Sequence, residues 1–322
     1  MLLKHEQQVH KTFQERGKYV DPITTGKGET RAYVDLKQLK TLWFNTGTLC
    51  NLSCENCYIE SSPENDELSY ISASEVQSYL TEIKQLNLGT ERIAFTGGEP
   101  FLNPDMIEIL SRVLSAGYPA LVLTNAYRIM NRHKEALVEL NQAYGANLSI
   151  RVSLDHYTSE VHESERGQRT FAATVKNIKW LFDEGFNVSV AGRSLTDETQ
   201  EQALAGYQRL MDENEIGLKL QVGKNIVIFP EMDGQRDVPE ITTDCWGILS
   251  VSPDDQMCAT ERMIVKRKGQ DKPTVLPCTL LTYDHQFDLG TTLAASEKRV
   301  QLNHPYCAQF CVLGGASCSS TS

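Results

Sequence analysis

From position 42 onward, short apolar runs alternate with amphipathic ones. Runs 42–46, 92–96, 120–124, 148–154, 187–191 and 218–222 are branched, aromatic and apolar enough to read as strands. The stretches between them carry helical spacing and helix punctuation. Ser74 with Glu75 in the first turn starts one, and Asn103-Pro104-Asp105 starts the next. Thr170 caps a helix over 171–184 that stops at Gly185. Strands and helices alternating every ~25–45 residues imply parallel strands joined by right-handed crossovers. The pattern predicts an α/β fold, a partial (β/α)6 TIM-type barrel over residues 41–230. Its chemistry belongs at the C-terminal ends of the strands.

The flanks read differently. Residues 1–40 begin with a polar helix (6–16) and pass through a loop containing Gly26 and Gly28, a loosely attached lead-in. After Pro230 the alternation stops. Pro253-Asp254-Asp255 and Lys268-Gly269-Gln270-Asp271 are turn signals, each between β-prone runs. Residues 231–322 therefore read as a small, cysteine-rich β-hairpin/α module. Its thin core invites a bound metal. The ending Ser319-Ser320-Thr321-Ser322 reads as a polar tail.

Composition narrows the function classes. The 322 residues are 40% hydrophobic and 23% charged, as in an ordinary globular protein. A net charge of −11 argues against nucleic acid and against anionic membranes as partners. No apolar run approaches the ~18 residues of a spanning helix. The opening Met1-Leu2-Leu3-Lys4 turns polar at once, so a cytoplasmic protein without a signal peptide is expected.

The cysteines change the picture most. There are nine: Cys50, Cys54 and Cys57 in one clump, then Cys245, Cys258, Cys278, Cys307, Cys311 and Cys318. Disulfides are rare in the cytosol, and two clumps suggest two metal sites. C-x3-C-x2-C on a loop leaving a strand can hold three irons of a [4Fe–4S] cube and leave the fourth open. Zinc is the competing reading, although zinc sites usually pair two ligands with two more at a distance. Thr96-Gly97-Gly98-Glu99-Pro100 follows the second strand. Its glycines let backbone approach a ligand, and Glu99 suits an ammonium group.

Together, Cys50, Cys54, Cys57, the aromatic Tyr58 and the Gly97-Gly98-Glu99-Pro100 turn resemble the radical S-adenosylmethionine (SAM) enzymes over residues 42–222. The resemblance implies that SAM chelates the open iron, with Glu99 at its amino group and Tyr58 beside its adenine. Reductive cleavage would then give a 5′-deoxyadenosyl radical that takes hydrogen from a substrate. It further implies SAM or substrate contacts from Asn125, in Thr124-Asn125-Ala126, and from Ser153 and Asp155, in Ser153-Leu154-Asp155-His156. His156 faces either substrate or solvent. Arg166 or Arg193 meets the SAM carboxylate. The C-terminal cysteines are similar to SPASM/twitch extensions, which hold auxiliary [4Fe–4S] clusters, although the full cysteine pattern is absent. Six thiols suffice for one auxiliary cluster, with Cys278, Cys307, Cys311 and Cys318 as the preferred ligands and Cys258 and Cys245 in reserve. Structural zinc competes for that module too.

The expected function is hydrogen abstraction from a peptide or protein side chain or a small metabolite, with electrons from a donor such as flavodoxin or ferredoxin. A cofactor-biosynthesis enzyme acting on a small molecule is the alternative. A non-catalytic iron–sulfur or zinc scaffold is the reading from outside enzymology.

Overall fold

The computed structural model describes residues 4–234 and 236–318. The first three residues and the polar tail at 319–322 lie outside the described residues. The strands are β1 (Tyr33–Val34), β2 (Thr41–Asn45), β3 (Arg92–Thr96), β4 (Ala120–Thr124), β5 (Leu148–Ser153), β6 (Asn187–Arg193), β7 (Ile226–Phe229), β8 (Glu261–Val265), β9 (Thr274–Leu276) and β10 (Val300–Gln301). The helices are α1 (His5–Glu15), α2 (Ala73–Leu86), α3 (Met106–Ser115), α4 (Lys134–Tyr144), α5 (Ser159–Arg166), α6 (Phe171–Asp183), α7 (Gln200–Glu213), α8 (Cys245–Leu249) and α9 (Met257–Thr260).

One sheet has the order β7-β6-β5-β4-β3-β2-β8-β9, and every neighbouring pair except β8–β9 is parallel. This is the expected partial barrel of TIM type, with one addition. β8 comes from the cysteine-rich region and pairs parallel with β2, while β9 folds back on β8 around the Lys268-Gly269 turn. The other turn signal, Pro253–Asp255, is a single 3-10 turn leading into α9 instead of a hairpin.

Two further expectations move. The sixth strand is β7 at Ile226–Phe229 and not 218–222. Asn225 closes a turn there, its side chain accepting from Gln221 N–H at 2.7 Å and donating to the Lys219 carbonyl at 2.8 Å. The branched run that follows takes the place in the sheet. The first crossover helix is capped two residues before Ser74. Ser72 is its N-cap, and its hydroxyl and the Glu75 carboxylate form a reciprocal capping box.

Side-chain alternation along the strands separates two cores. Leu42, Phe44, Ile93, Phe95, Val122, Ile150 and Val152 point outward and pack on Val76, Leu80, Ile109, Val113 and Ile178 of the helices. Trp43, Ala94, Leu121 and Met263 point inward and pack on Leu280, Phe310 and Cys318. Each such side chain contributes about 1.5–3 kcal/mol on burial. The inner face also carries the buried charged residues Arg151 and Glu261. Arg151 donates to the Cys318 carbonyl at 2.5 Å. Glu261 accepts from Trp43 Nε1 at 2.6 Å and from Ser317 Oγ at 3.2 Å. Buried charge is tolerated only when paired, so these contacts tie the Ser317–Cys318 backbone to the inner face.

The N-terminal lead-in is not loose. α1 buries Val9 and Phe13, and the Glu6 carboxylate accepts the backbone N–H groups of Thr282, Tyr283 and Asp284. Burial pushes that carboxyl up to about 8 despite those donors. Among the described residues, no helix is long and apolar enough to cross a membrane.

Candidate active site

The loop after β2 and the turn after β3 are laced together by backbone. Gly98 N–H donates to the Gly47 carbonyl at 2.8 Å, and Glu99 N–H to the Leu49 carbonyl at 3.1 Å. Only glycine permits this approach. A Cβ on Gly98 would lie 2.1 Å from the Leu49 carbonyl oxygen. Gly97 sits at φ +140°, with a Cβ position 2.6 Å from the Gly47 carbonyl oxygen.

A cavity of about 190 Å³ opens there, at the C-terminal ends of the strands. It brings together Cys50, Cys54, Cys57, Tyr58, Gly97, Gly98, Asn125, Ser153, Asp155, Arg166 and Arg193 from widely separated parts of the chain. The thiols are already arranged as acceptors. Cys50 Sγ takes Leu52 N–H at 3.4 Å and Asn125 Nδ2 at 3.7 Å, and Cys57 Sγ takes Ser61 N–H at 3.3 Å. Such N–H···S contacts are the supporting shell that thiolate ligands of a metal use. Burial pushes the Cys50 thiol up to about 12 and raises Cys54 as well. A metal must therefore displace their protons.

Charge is organised in two clamps. Arg166 forks onto Asp155 with Nε–Oδ2 at 2.7 Å and Nη2–Oδ1 at 2.8 Å. Burial would raise the Asp155 carboxyl, but the Arg166 charge and its two hydrogen bonds hold it below its ordinary value. Arg193 pairs with Glu165 at 2.9 Å and with Glu231, and lies 5.5 Å from the Tyr58 ring centre. Tyr58 donates its hydroxyl to the Pro230 carbonyl at 3.3 Å.

Glu99 and Pro100 stand behind the cavity, not in its wall. Glu99 is 2% exposed. It accepts from Thr124 Oγ1 at 2.9 Å, Asn125 N–H at 2.9 Å and Phe101 N–H at 3.2 Å. Burial pushes it up to about 7. Pro100 opens a buried 3-10 turn. His156 is turned away from solvent and does not line this cavity. It is buried, with Nε2 3.0 Å from Glu198 Oε1 and Nδ1 2.8 Å from Thr158 Oγ1.

The C-terminal thiols divide. Cys258, Cys278, Cys307 and Cys311 line one narrow apolar cavity with Met257, Leu281 and Tyr306. Cys318, a preferred partner of three of them on sequence grounds, instead lines the active-site cavity. Its sulfur is 3.1 Å from Thr279 Oγ1. Cys245 lines neither of these cavities and accepts Thr242 N–H at 3.3 Å. Sequence reasoning also missed the apolar wall of the active-site cavity, made by Trp43, Leu123, Leu280, Phe229 and Phe310. Its signal was the inward register of alternate strand residues.

The chain belongs to the radical SAM superfamily, whose family model matches residues 44–205. The superfamily's groups are SAM and a [4Fe–4S] cluster, and three thiols beside a close-approach glycine turn fit them. The chain is 40% identical over 143 residues to the antilisterial bacteriocin subtilosin biosynthesis protein AlbA of Bacillus subtilis, 44% of this chain and 30% of that protein. It is 30% identical over 163 residues to a GTP 3′,8-cyclase of Haemophilus influenzae, 48% of this chain and 46% of that one. The chain thus matches less than half the length of either relative. In fold it is similar to Streptococcus suis SuiB bound to its precursor peptide SuiA, with TM-score 0.56 and 17% identity over 88% of this chain and 67% of that one.

Proposed function

We propose that this chain is a radical SAM enzyme that abstracts a hydrogen atom from a peptide or protein side chain and carries an auxiliary [4Fe–4S] cluster. One observation carries the first half: three loop thiols, the Gly97-Gly98 turn and the Asp155–Arg166 clamp border a single cavity at the strand ends. Bound there, the cluster and SAM supply a 5′-deoxyadenosyl radical when one electron arrives from a donor of the flavodoxin or ferredoxin type. Cys50, Cys54 and Cys57 would hold the cluster. Asn125 orients Cys50 by its amide, and Gly97 and Gly98 admit the methionine end of SAM against backbone. The Arg166 guanidinium, held by Asp155, would meet the SAM carboxylate. Glu99, behind the turn, would act on the SAM ammonium, and Tyr58 would lie beside the adenine. The apolar wall excludes water from the reacting carbon.

The auxiliary cluster is assigned to Cys258, Cys278, Cys307 and Cys311, because these four line one cavity and Cys318 does not. All four lie within residues 231–322, which we propose as the auxiliary module, one that lends β8 and β9 to the sheet of the barrel at 41–230. The same donor set suits structural zinc, so the metal itself decides between them. The peptide substrate is supported by the likeness to AlbA, a bacteriocin biosynthesis protein. A small-molecule substrate in cofactor biosynthesis is the second reading, favoured by the likeness to GTP 3′,8-cyclases.

The test is anaerobic reconstitution with iron and sulfide, reduction with dithionite and assay of SAM for 5′-deoxyadenosine. Formation that falls in Gly98→Ala while cluster absorbance persists supports the enzyme. A cluster-loaded chain that never cleaves SAM, with or without substrate-rich lysate, returns the protein to the scaffold reading.

A further inference from the structure

Cys318 lines a different cavity from Cys258, Cys278, Cys307 and Cys311. It is 9% exposed and lines the cavity shared by Cys50, Cys54 and Cys57. The chain holds it there deliberately. Arg151, buried on β5, donates to the Cys318 carbonyl at 2.5 Å, and Ser317 Oγ donates to buried Glu261 at 3.2 Å. Thr279 Oγ1 lies 3.1 Å from the sulfur. Two buried charged residues and a hydroxyl thus position one thiol that has no place in the four-thiol cavity. A second observation marks this wall as a ligand surface. Ser61 is 5% exposed and lines the same cavity, and its hydroxyl has no hydrogen-bond partner. A buried hydroxyl left without a partner is costly unless a ligand supplies one.

We propose that the Cys318 thiol is the hydrogen-atom donor of the active-site cavity, delivering its hydrogen to the carbon radical that abstraction leaves in the substrate. The assignment rests on the radical reading above and extends it. The substrate C–H bond breaks to the 5′-deoxyadenosyl radical, giving 5′-deoxyadenosine and a substrate carbon radical. The Cys318 S–H bond then breaks homolytically, a new C–H bond forms and the sulfur is left as a thiyl radical. One electron from the iron–sulfur or flavin reductant that drives SAM cleavage, with one proton from solvent, restores the thiol. The substrate carbon ends with hydrogen replaced by hydrogen and no net oxidation. An S–H bond is weaker than an alkyl C–H bond, so the transfer runs toward carbon, whereas a serine hydroxyl in its place cannot donate. Burial pushes the thiol up to about 12, so it keeps its hydrogen at neutral pH. Arg151, Glu261 and Thr279 are positioning residues.

The test needs no known substrate. With SAM alone, the 5′-deoxyadenosyl radical itself meets the thiol. The cluster-loaded protein is transferred to deuterium oxide without added thiol, reduced with dithionite and given SAM. 5′-Deoxyadenosine one mass unit heavy is expected from the native chain, and loss of that label from Cys318→Ser and Cys318→Ala. Iron content in both variants is expected to equal the native value. Equal labelling in the variants, or unlabelled 5′-deoxyadenosine from the native chain, overturns the assignment alone. Loss of iron from both variants overturns it in favour of a metal ligand. Absence of any 5′-deoxyadenosine from the native chain overturns the radical reading itself, and this assignment with it.

Discussion

The thiols of Cys50, Cys54 and Cys57 share their cavity with Asn125, Ser153, Asp155 and Arg166, whereas those of Cys258, Cys278, Cys307 and Cys311 share theirs with Met257, Leu281, Leu302 and Tyr306. Each set holds thiols that burial raises, so a metal must displace their protons. Cys50 is pushed up to about 12, Cys258 to about 11 and Cys307 to about 12 by desolvation. What differs is the company. The first cavity offers hydrogen-bonding and charged groups that an external ligand can meet, while the second offers almost nothing but apolar side chains and a fourth thiol. A metal held by three ligands in polar surroundings keeps a position open for chemistry. One held by four in apolar surroundings is closed, and serves structure or electron transfer.

The strongest way to break the comparison is to remove the loop thiols. Cys50→Ala/Cys54→Ala/Cys57→Ala is expected to abolish 5′-deoxyadenosine formation and to lower iron from ~8 to ~4 per chain, two cubes becoming one. A fall from ~4 to zero would leave the second cavity without an iron cluster. Next is Cys258→Ala. Iron is expected to fall toward ~4 as well, with the loop cluster's spectrum intact and a lowered thermal midpoint, because metal binding is coupled to folding in small cores. Unchanged iron would remove Cys258 from the ligand set.

Glu99 sharpens the polar side of the comparison. Its carboxyl rises from 4.5 to about 7 on burial, so the folded state binds its proton more tightly than the unfolded chain. The stability it contributes is full below pH ~4.5 and is lost as pH rises through ~7, at most about 3 kcal/mol for a fully buried group. Glu99→Gln is expected to remove that part of the pH slope in the metal-free protein, read from urea midpoints at pH 5 and pH 8. An identical slope in both chains would refute it. Gly98→Ala is smaller, about 1–3 kcal/mol of overpacking against the Leu49 carbonyl, and is expected to weaken SAM binding by calorimetry.

The barrel and the loop site were legible because their signals are local. Strands read as short apolar runs between amphipathic stretches, and C-x3-C-x2-C and Gly-Gly-Glu-Pro state their chemistry within nine residues or fewer. The grouping of Cys258 with Cys278, Cys307 and Cys311 was not, since it depends on β8 joining the edge of β2. That pairing spans more than two hundred residues and leaves no local pattern. Arg151 and Glu261 were hidden for the same reason, as charged residues on strands normally read as solvent-facing. So was α1, whose buried Glu6 and His10 look like polar surface until Thr282–Asp284 arrive to meet them.

Cys245 gives the smallest effect and the cleanest control. It belongs to the same sequence clump as the four cavity thiols, so a reading based on clustering alone would give it a metal. In the fold it begins the short α8, half-buried, with its sulfur accepting from Thr242 N–H and in contact with the Thr242 hydroxyl. Removing that sulfur opens no metal cavity and strands no buried charge. Cys245→Ala is therefore expected to change stability by no more than about 0.5 kcal/mol and iron content not at all. Measured beside Cys258→Ala under identical reconstitution, it separates two explanations of any iron loss. If only Cys258→Ala loses iron, position in the fold selects the ligands. If both lose it equally, the six thiols bind metal as an unordered pool, and the contrast between the two cavities does not hold.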